Sequence, residues 1–596
     1  MPNMKGGEYI VDFLIREGVP YVFGVCGHGN VGILDAMYER QSEIKLISPR
    51  HEQTAGHMAD AYWRVKHEAV ATLSSCGPGS VNMMLPLANA FLDSSAYIAI
   101  TANVPTQHFG LGAFQEIYRN QPADFPSSVK PYVKRCLQPT RVDMLPVAMR
   151  QAMAVATTGR PGPVCVDVPY NVFQEEDDVD YQPSNRHAIG GRPGASPDEI
   201  SRVADLLYAA EKPLIYVGHG VALSEAGEEL TELVQTLQFP VGSMPNGMGA
   251  IDARDPLYIG HNGRNGVYQA NQAGRHCDVL LAIGVHFDDR SSSSWLPGYS
   301  WNIPPTKLVH VDIDAGELGR AYPPEVGIAA DARTFLRQLL EEVNRRGAPD
   351  PARTAAWRAE IESWRNEWES FLAPKFDQSS SPATPEGIVR DVRKVLPDDG
   401  ILVLDVGAHH NWFVQLWEAR RPQAMLNAFG FGAMGFGTSG VLGAKLAAPE
   451  RTCVAVVGDG SFMMTPHVLA TAVEYNIPAV WVVWNNFGWT SIRDIQLGMF
   501  QGRELGTLFY KDGERYNPDF AMMARAAGCE AITVTHNKDF AAALEHAVQL
   551  GKPCLIDAHV DSDIRPVPTG ASQYPPLPEK TPAYGERFLP ESIAGE

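Results

Sequence analysis

Two polar loops of the sequence carry side chains that could together hold a hard cation. The first loop contains Gly458, Asp459, Gly460 and Ser461, and the second contains Asn486, which lies 27 residues after Asp459. A strand-helix-strand unit of this length would bring both loops to the carboxyl ends of neighbouring parallel strands. A carboxylate, an amide oxygen and a backbone carbonyl there would suit Mg²⁺, which could bridge to a diphosphate. An ordinary strand-to-helix turn remains the alternative for the Gly-Asp-Gly triplet alone.

The elements that must position these loops can be recognised as short apolar runs. Twelve runs rich in Val and Ile recur along the chain, and each is followed by a glycine-bearing turn and a helical pattern. This alternation is typical of the α/β class, in which helices cover both faces of a parallel sheet. Breaks in composition near 175–199 and 345–385 divide the chain. We predict three doubly wound domains at 1–175, 195–345 and 380–561, followed by a proline-rich tail at 562–596 that is either a loose terminus or a lid.

The composition excludes several classes of partner. The 596 residues include 49 Lys and Arg against 69 Asp and Glu, and the net charge of −20 disfavours a nucleic acid. The eight cysteines are scattered without a CxxC pair, so we expect reduced thiols in the cytoplasm. The first residues lack the order of a secretory signal. The uncharged stretch 424–444 could span a bilayer, but its six glycines favour close backbone packing, so we expect no membrane partner.

Taken together, these motifs resemble those of the thiamine diphosphate-dependent enzyme family. GDGSF, the interval of 27 residues and the paired asparagines after a strand are similar to the family fingerprint. Nearly the whole chain resembles the acetohydroxyacid synthase-like branch. The resemblance implies that Mg²⁺ is held by Asp459, Asn486 and the backbone of Gly488. It also implies that Gly458, Gly460 and Ser461 bind the cofactor.

The segment RHEQ at 50–53 resembles a second family signature and indicates an activating carboxyl group. By this resemblance Glu52 lies against the aminopyrimidine ring, so that the cofactor can deprotonate its own thiazolium C2. A solvated acid at a helix N-terminus is the alternative. In this family the glutamate of one subunit serves the cofactor of another. The resemblance therefore implies a homodimer at minimum, and we expect a homotetramer.

Further motifs extend the resemblance into both cofactor domains. They are SSCGPGSVN at 74–82, GAFQE at 112–116, DVGAHH at 405–410 and GAMGFG at 432–437. By resemblance, Phe114 and Gln115 lie near the reacting carbon, Gly407 and His409 meet the diphosphate, and Gly432 and Met434 bind the cofactor, with Met434 wedged beneath it. Lys130 falls where these synthases carry a lysine at the substrate channel. The alternatives are a surface lysine for Lys130 and a core methionine for Met434.

The middle segment resembles the domain that binds FAD structurally in the synthases. The residues that the resemblance assigns to FAD are Arg160, Gly218, Gly220, Gly263, Arg290 and Asp312. Glycines in such loops let the backbone approach a dinucleotide. The chain departs from the pattern at Asn265 and Val267, where the synthases have His and Thr. An empty domain and a nucleotide diphosphate therefore stay open as alternatives to FAD.

Other departures fall on positions that resemble substrate contacts. His286 replaces an arginine that could pair with the carboxylate of an acceptor 2-oxoacid. Ser491 and Ile495 replace a bulky methionine and tryptophan, so we expect a wider acceptor pocket. His28 lies in GHGN, a phrase that resembles the trihydroxycyclohexanedione hydrolases and that faces thiazolium C2 by analogy. His28 could act as a base on water or as a proton donor, or could make only a structural hydrogen bond.

Three functions are consistent with the sequence. The first is a carboligase or decarboxylase that acts on a 2-oxoacid such as pyruvate through an enamine intermediate, with thiamine diphosphate and Mg²⁺. In this hypothesis Glu52, His28 and Gln115 are the catalytic residues. The second is hydrolysis of a carbon–carbon bond in a cyclic or acyclic diketone with the same cofactor. The third is a cofactor-binding protein without catalysis, and Glu52 argues against it because a binder does not need that carboxyl group.

Overall fold

The computed structural model describes residues 3–189, 191–376 and 379–571, and within these ranges the chain forms three sheets of six parallel strands each. The predicted doubly wound α/β fold is confirmed. The last predicted segment, the tail at 562–596, falls within the described residues only as far as Ala571.

The first sheet lies between residues 21 and 169. In spatial order its strands are Lys45–Ile47, Tyr21–Gly24, Ala71–Ser74, Ile98–Asn103, Val164–Pro169 and Arg135–Leu137. The helices of this region are Gly6–Arg16, Val31–Tyr38, Glu52–Lys66, Pro78–Asn82, Met84–Leu92, Phe125–Val129, Leu145–Thr157 and Arg186–Ile189. A short antiparallel pair, Asn3–Lys5 with Glu176–Asp178, joins the start of the chain to the segment after the sheet.

The second sheet lies between residues 213 and 329. Its strands, in spatial order, are Tyr258–His261, Val241–Ser243, Pro213–Val217, Val279–Ile283, Lys307–Asp312 and Val326–Ala329. Its helices are Pro197–Ala209, His219–Leu223, Gly227–Leu237, Tyr268–His276, Ala332–Arg346 and Ala355–Leu372. The last helix packs on this domain, since the indole nitrogen of the buried Trp357 donates to the carbonyl of Pro213 at 3.0 Å.

The third sheet lies between residues 401 and 559. Its strands, in spatial order, are Met425–Asn427, Ile401–Leu404, Cys453–Gly458, Val480–Asn485, Cys554–His559 and Glu530–Val534. Its helices are Pro385–Val395, Ala408–Leu416, Phe436–Ala447, Asp459–Phe462, Val468–Glu474, Thr490–Met499, Phe520–Ala526 and Asn537–Gln549. Tyr510–Lys511 and Glu514–Arg515 form a small antiparallel pair.

Nine short 3-10 helices occur in the described part of the chain. They are His28–Asn30, Thr106–His108, Lys130–Tyr132, Val142–Met144, Tyr170–Phe173, Pro245–Gly247, Ser293–Trp295, Pro351–Thr354 and Ala373–Lys375.

Two helices join the first and third domains at very short range. The helix Glu52–Lys66, named here the Glu52 helix, packs along the helix Phe436–Ala447, named here the Phe436 helix. A β-carbon added at Gly443 would lie 2.0 Å from the carbonyl oxygen of Met58, so only glycine allows this approach. The glycine-rich stretch 424–444 therefore provides a strand, a loop and a tightly packed helix. Among the described residues, no helix is both long and apolar enough to cross a membrane.

A buried ion-pair cluster connects all three domains. Arg64 of the Glu52 helix pairs with Asp60 at 2.7 Å and with Asp93 at 3.0 Å. Asp93 also accepts hydrogen bonds from the backbone amide of Gly430 in the third domain and from the side-chain amide of Asn246 in the second, at 2.9 and 3.1 Å. We call these residues the junction cluster.

The described part of the tail crosses from the third domain to the second. Asp563 pairs with Arg493 at 2.7 Å, and Arg565 pairs with Asp494 at 3.0 Å. Further along, the buried Thr569 accepts a hydrogen bond from the side-chain amide of Asn271 at 2.7 Å. This stretch thus fastens the helix Thr490–Met499 to the second domain.

Candidate active site

The two polar loops meet at one edge of the third sheet, as their spacing predicts. The strands Cys453–Gly458 and Val480–Asn485 are parallel neighbours, so Asp459 and Asn486 follow adjacent strand ends. Asp459 is 1% exposed, and its Oδ2 accepts hydrogen bonds from the backbone amide of Gly488 at 3.1 Å and from the side chain of Asn517 at 2.8 Å. The carboxylate is therefore held in one orientation by both loops and by a third segment.

The environment of Asp459 leaves its charge incompletely compensated. Burial raises the pKa of Asp459 to about 6, although hydrogen bonds from Asn517 and from backbone amides act to lower it. A buried carboxyl group whose pKa is raised by desolvation gains from a nearby cation, because the cation restores the charged form. This is the electrostatic property expected of a metal ligand.

Asn486 is oriented so that its amide oxygen is available. Its Nδ2 donates to the hydroxyl of Thr490 at 2.6 Å, and the residue is buried. The described residues contain no cluster of three or more His, Cys, Asp or Glu side chains suited to hold a metal. Asp459 would thus be the single carboxylate ligand, with amide and backbone oxygens beside it. Such a set fits Mg²⁺, which also accepts phosphate oxygens and water.

Glycine is required beside the aspartate because an aromatic ring covers the turn. A β-carbon added at Gly460 would lie 2.4 Å from the ring of Trp489, and one added at Gly488 would lie 2.2 Å from the carbonyl oxygen of Thr507. Gly460 therefore lets an indole ring pack on the turn, and Gly488 lets its loop meet the backbone at Thr507.

The next strand end carries a buried imidazole with an unpaired nitrogen. His409 is the second residue of the helix Ala408–Leu416, and burial lowers the pKa of His409 to about 4, so the ring is neutral. Its Nε2 is buried and has no hydrogen-bond partner. The ring lies 3.5 Å from the point where a β-carbon on Gly458 would be. A diphosphate at this edge would favour the protonated imidazole, whose Nε2 hydrogen could then be donated to a phosphate oxygen, so these residues fit the predicted cofactor.

The loop with Gly432 and Met434 is fixed by a carboxylate that the sequence reading did not single out. Asp405 is fully buried and accepts hydrogen bonds from the backbone amides of Gly435 and Gly437 at 3.1 and 2.9 Å. Asp405 also accepts a hydrogen bond from the hydroxyl of Ser461 at 2.6 Å. Asp405 thereby ties the loop to the turn that carries Asp459.

The first domain touches this loop directly. The side-chain amide of Gln53 donates to the carbonyl of Met434 at 3.1 Å. The neighbouring Glu52 is 8% exposed, and its Oε2 accepts from the side chain of Asn82 at 3.0 Å. A β-carbon at Gly79 would come within 3.0 Å of Glu52 Oε1. Glu52 is therefore a well-ordered carboxyl group with space kept open beside it.

The other predicted catalytic residues of the first domain form one group. The thiol of Cys76 lies 3.5 Å from both His28 Nε2 and Gln115 Oε1. The rings of His28 and Phe114 are 5.7 Å apart, and Phe114 is 77% exposed. The structure thus brings together His28, Phe114 and Gln115, with Cys76 between two of them.

The loop that carries Phe114 and Gln115 is held by buried and charged groups. The carboxylate of Glu116 accepts hydrogen bonds from the backbone amides of Gly110, Gly112, Ala113 and Ala123. Burial acts to raise the pKa of Glu116, but these amides outweigh it and lower the pKa. The charge of Glu116 therefore stabilises the fold of the loop.

The predicted substrate positions outside this group are half-buried or exposed. Ser491 and Ile495 lie half-buried on the helix Thr490–Met499, and Lys130 is exposed. Arg493 of the same helix is engaged by Glu504 and Asp563, each at 2.7 Å. No contact recorded among the described residues joins Lys130 to the His28 group, so its role stays a prediction.

A cavity of about 780 Å³ lies among the three domains. Of the residues predicted to contact FAD, Arg160, Gly220 and Asp312 line it. Arg290 instead donates to His410 and Asn411 at 3.1 and 2.9 Å. The other two, Gly218 and Gly263, also lie outside the lining. The volume is within the range of cofactor sites.

His286 at the rim of this cavity is part of an ion network. Its Nδ1 lies 3.2 Å from Glu317, and its Nε2 accepts from Arg320 at 3.1 Å. His286 is therefore engaged by neighbouring side chains at the position where the resemblance expected a carboxylate-binding arginine.

Several residues of the site were not singled out by the sequence motifs. They are Cys76, Asn82, Asp405, Asn517 and Thr490. Cys76, Asn82 and Asp405 lie within motifs whose glycines attracted attention, so they could have been found there. Asn517 lies 31 residues beyond Asn486 in a polar segment without a recognisable signal.

Comparison with known proteins finds three matching domain models. Residues 4–123, 200–339 and 405–558 match the models described as the N-terminal TPP binding domain, the central domain and the C-terminal TPP binding domain of thiamine pyrophosphate enzymes. A probable acetolactate synthase large subunit of Methanocaldococcus jannaschii is 33% identical over 571 residues, which is 94% of this chain and 92% of that protein.

Two bacterial proteins are similarly close. The acetolactate synthase large subunit of Haemophilus influenzae is 32% identical over 94% of this chain and 95% of its own length. The acetolactate synthase isozyme 3 large subunit of Escherichia coli is 31% identical over 94% of this chain and 96% of its own length.

Proposed function

Because the chain belongs to the thiamine pyrophosphate enzyme family, in its acetolactate synthase-like branch, we propose that it is a carboligase or decarboxylase acting on a 2-oxoacid such as pyruvate. The proposal includes thiamine diphosphate and Mg²⁺ as cofactors. Since the similar proteins are acetolactate synthases, the hydrolysis of a diketone is not favoured.

One observation carries the proposal. A desolvated carboxylate, Asp459, and an oriented amide, Asn486, follow adjacent strands, and the unpaired Nε2 of the neutral His409 lies at the same edge. A metal-bound diphosphate would supply a cation beside Asp459 and Asn486 and a hydrogen-bond partner for His409 Nε2. Asp459, Asn486 and the backbone of Gly488 would hold the metal, and His409 would contact the diphosphate.

The chain's own residues would transfer protons and position the cofactor and the substrate. When bound, thiamine diphosphate supplies an electron sink for loss of CO₂ from a 2-oxoacid. Glu52 would hold a proton at its carboxyl oxygen beside the aminopyrimidine, and the close packing around Asn82 and Gly79 would keep that carboxyl in place. Met434 would pack against the cofactor. His28 and Gln115 would position the substrate and move protons.

The test is turnover of pyruvate by the purified full-length protein with thiamine diphosphate and Mg²⁺. Release of CO₂ together with acetolactate is expected. Glu52→Gln should lower kcat by at least about 100-fold while retaining cofactor binding, as expected for loss of one essential proton carrier. Glu39→Gln, at an exposed site, is the matched control. Absence of both CO₂ and a ligation product from the wild-type protein would refute the proposal.

We further propose that the 780 Å³ cavity binds FAD, with a nucleotide diphosphate as the alternative occupant. Arg160 and Asp312 supply charged groups at its wall, and Gly220 admits a close approach of the ligand to the backbone. Purified protein should be yellow and should release a flavin on denaturation. Colourless protein whose denatured extract contains adenine nucleotide without flavin would favour the alternative.

We also propose that the active unit is a homodimer at minimum and a homotetramer in solution, located in the cytoplasm. The exposed Phe114 and Leu111 beside the catalytic group support a second copy, because each is more than three-quarters exposed in the single chain. Six of the eight cysteines are buried and all eight are free thiols, which supports a reducing compartment. Light scattering would measure the assembly state.

A further inference from the structure

One buried thiol lies between two side chains that the sequence assigns to proton handling. Cys76 Sγ is 3.5 Å from His28 Nε2 and 3.5 Å from Gln115 Oε1. Cys76 is 2% exposed, whereas His28 is exposed and has Phe114 against its ring. The sulfur therefore lies behind an imidazole that can reach a substrate.

The number of hydrogens on these side chains determines which group donates in each contact. A thiol has one hydrogen, and the amide oxygen of Gln115 can only accept. If Cys76 donates to Gln115, the contact between Cys76 and His28 requires the imidazole to donate its Nε2 hydrogen to the sulfur. His28 is then left with a lone pair on Nδ1. Burial raises the pKa of the Cys76 thiol, which keeps its hydrogen in place.

The backbone segments that carry His28, Cys76 and Gln115 contact one another. The amide of Gly29 donates to the hydroxyl of Ser75 at 3.2 Å, and Asn30 closes the His28 loop by accepting from the amide of Gly27 at 2.9 Å. A β-carbon on Gly77 would lie 2.7 Å from Gln115. Cys76, His28 and Gln115 are thus presented by segments that contact one another directly.

We propose that Cys76 is a positioning residue that holds His28 in the tautomer with a hydrogen on Nε2 and a lone pair on Nδ1. The role rests on the proposed carboligase function. In this tautomer Nδ1 takes the proton of a substrate hydroxyl. The electron pair of the broken O–H bond forms the second bond of a carbonyl at the carbon that carried the hydroxyl. The group that leaves this carbon takes the electron pair of the bond that joined it to that carbon. The imidazolium that results still donates from Nε2 to the sulfur.

A double-mutant cycle tests whether Cys76 acts through His28. Cys76→Ala should lower kcat for pyruvate by about 10-fold with KM changed less than twofold, since an interaction of about 1.4 kcal/mol corresponds to one decade. Cys76→Ser should restore kcat to within about threefold of wild type. In a His28→Ala background, Cys76→Ala should have no further effect. Full multiplication of the two effects would overturn the proposal.

The exposed thiol of the same loop provides the matched control. Cys26 lies two residues before His28 and is exposed, so Cys26→Ala should leave kcat and KM unchanged. Thermal unfolding of all variants would identify any that lose their fold, and equal melting temperatures are expected for Cys76→Ala and Cys76→Ser.

Neutron diffraction from crystals of the full-length perdeuterated protein tests the tautomer without any substrate. Deuterium is expected on His28 Nε2 and on Cys76 Sγ in the direction of Gln115 Oε1, with none on Nδ1. Deuterium on Nδ1, with the thiol pointing to Nε2, would overturn the proposal. If the wild-type protein converts no 2-oxoacid, the proposed function fails, and the deuterium positions still decide the arrangement of Cys76 and His28.

Discussion

At the scale of single residues, Asp459 is suited to bind a metal but lowers the stability of the cofactor-free protein. Its carboxyl group is almost fully buried, and burial raises its pKa to about 6 from the ordinary value of 3.8. A carboxyl group whose pKa rises on folding favours the folded state only while it is protonated. Its contribution is therefore complete below pH 3.8 and is lost as the pH rises through 6.

This linkage predicts that Asp459→Asn stabilises the cofactor-free protein at neutral and alkaline pH. We expect a gain of roughly 1–3 kcal/mol in the free energy of unfolding at pH 8, because a pKa shift of one unit corresponds to about 1.4 kcal/mol and the amide forfeits some hydrogen bonds. The gain should fall by about half at pH 5. Urea unfolding at both pH values measures it.

A matched variant separates the buried charge from a general effect. Asp512→Asn, at an exposed turn, should change stability by less than about 0.5 kcal/mol at either pH. A loss of stability for Asp459→Asn at pH 8 would contradict the interpretation of Asp459 as a strained, desolvated carboxylate.

Individual site residues differed in how well the sequence could predict them. Asp459 and Asn486 lie beside glycines at strand ends, so local pattern and topology together locate them. Asp405 and Asn517 act by hydrogen bonds across 56 and 58 residues of chain. Such contacts depend on how loops fold back, which the local pattern does not encode.

At the scale of elements, the contact between the Glu52 helix and the Phe436 helix depends on the absence of a side chain at Gly443. Gly443→Ala would place a β-carbon 2.0 Å from the carbonyl oxygen of Met58. We expect a loss of about 1–3 kcal/mol in the free energy of unfolding, since overpacking forces the backbones apart. Chemical denaturation measures the loss.

A second helical glycine serves as the control for this prediction. Gly498 lies in the helix Thr490–Met499 with open space around the position of a β-carbon. Gly498→Ala should be neutral or stabilising by up to about 1 kcal/mol, because alanine favours a helix. Equal effects of the two substitutions would show that the helix contact is not the cause.

The loop from Gly110 to Ala123 depends on the charge of Glu116. Glu116→Gln should raise the rate of protease cleavage in this loop by about 5- to 20-fold, because charge-assisted hydrogen bonds to backbone amides become neutral ones. Since these amides lower the pKa of Glu116, the difference between the two proteins should vanish only as the pH falls below about 4.5 through that lowered pKa. Mass spectrometry of the fragments measures the rate.

The same substitution at Glu39, which is exposed, should leave cleavage unchanged. If Glu116→Gln is cleaved no faster than wild type at pH 7, the loop is held by other groups, such as the side-chain amides of Asn103 and Gln138, which both donate to the carbonyl of Ala123.

The sequence predicted central strands better than edge strands. All twelve apolar runs correspond to strands, including Ile98–Asn103 and Val480–Asn485. To the three large sheets the structure adds six strands, and five of them lie at sheet edges, such as Arg135–Leu137 and Glu530–Val534. Edge strands are short and partly exposed, so they need not be continuously apolar, and their pattern is weak.

At the scale of the whole molecule, the junction cluster makes the three domains one unit. Asp93 receives Arg64 from its own domain, the amide of Gly430 from the third domain and Asn246 from the second. Because the first and third domains also share the two-helix contact, the second domain depends on Asp93 for one of its polar links to them.

Removal of this carboxylate should weaken the whole assembly of domains. Asp93→Ala leaves the buried Arg64 with one carboxylate fewer, and we expect a loss of about 3–5 kcal/mol. The thermal transition should broaden as the domains unfold separately, which calorimetry detects. Asp198→Ala, at an exposed position, should cost less than about 1 kcal/mol, and a similarly small cost for Asp93→Ala would contradict a joining role.

The pairing of the Glu52 helix with the Phe436 helix also has a consequence for synthesis of the chain. Met58 leaves the ribosome 385 residues before Gly443. At roughly 5–20 residues per second, the first helix waits roughly 20–80 seconds for its partner. During that time its apolar face is uncovered in the nascent chain. The early domain is therefore a natural client for a chaperone until the last third of the protein has been translated.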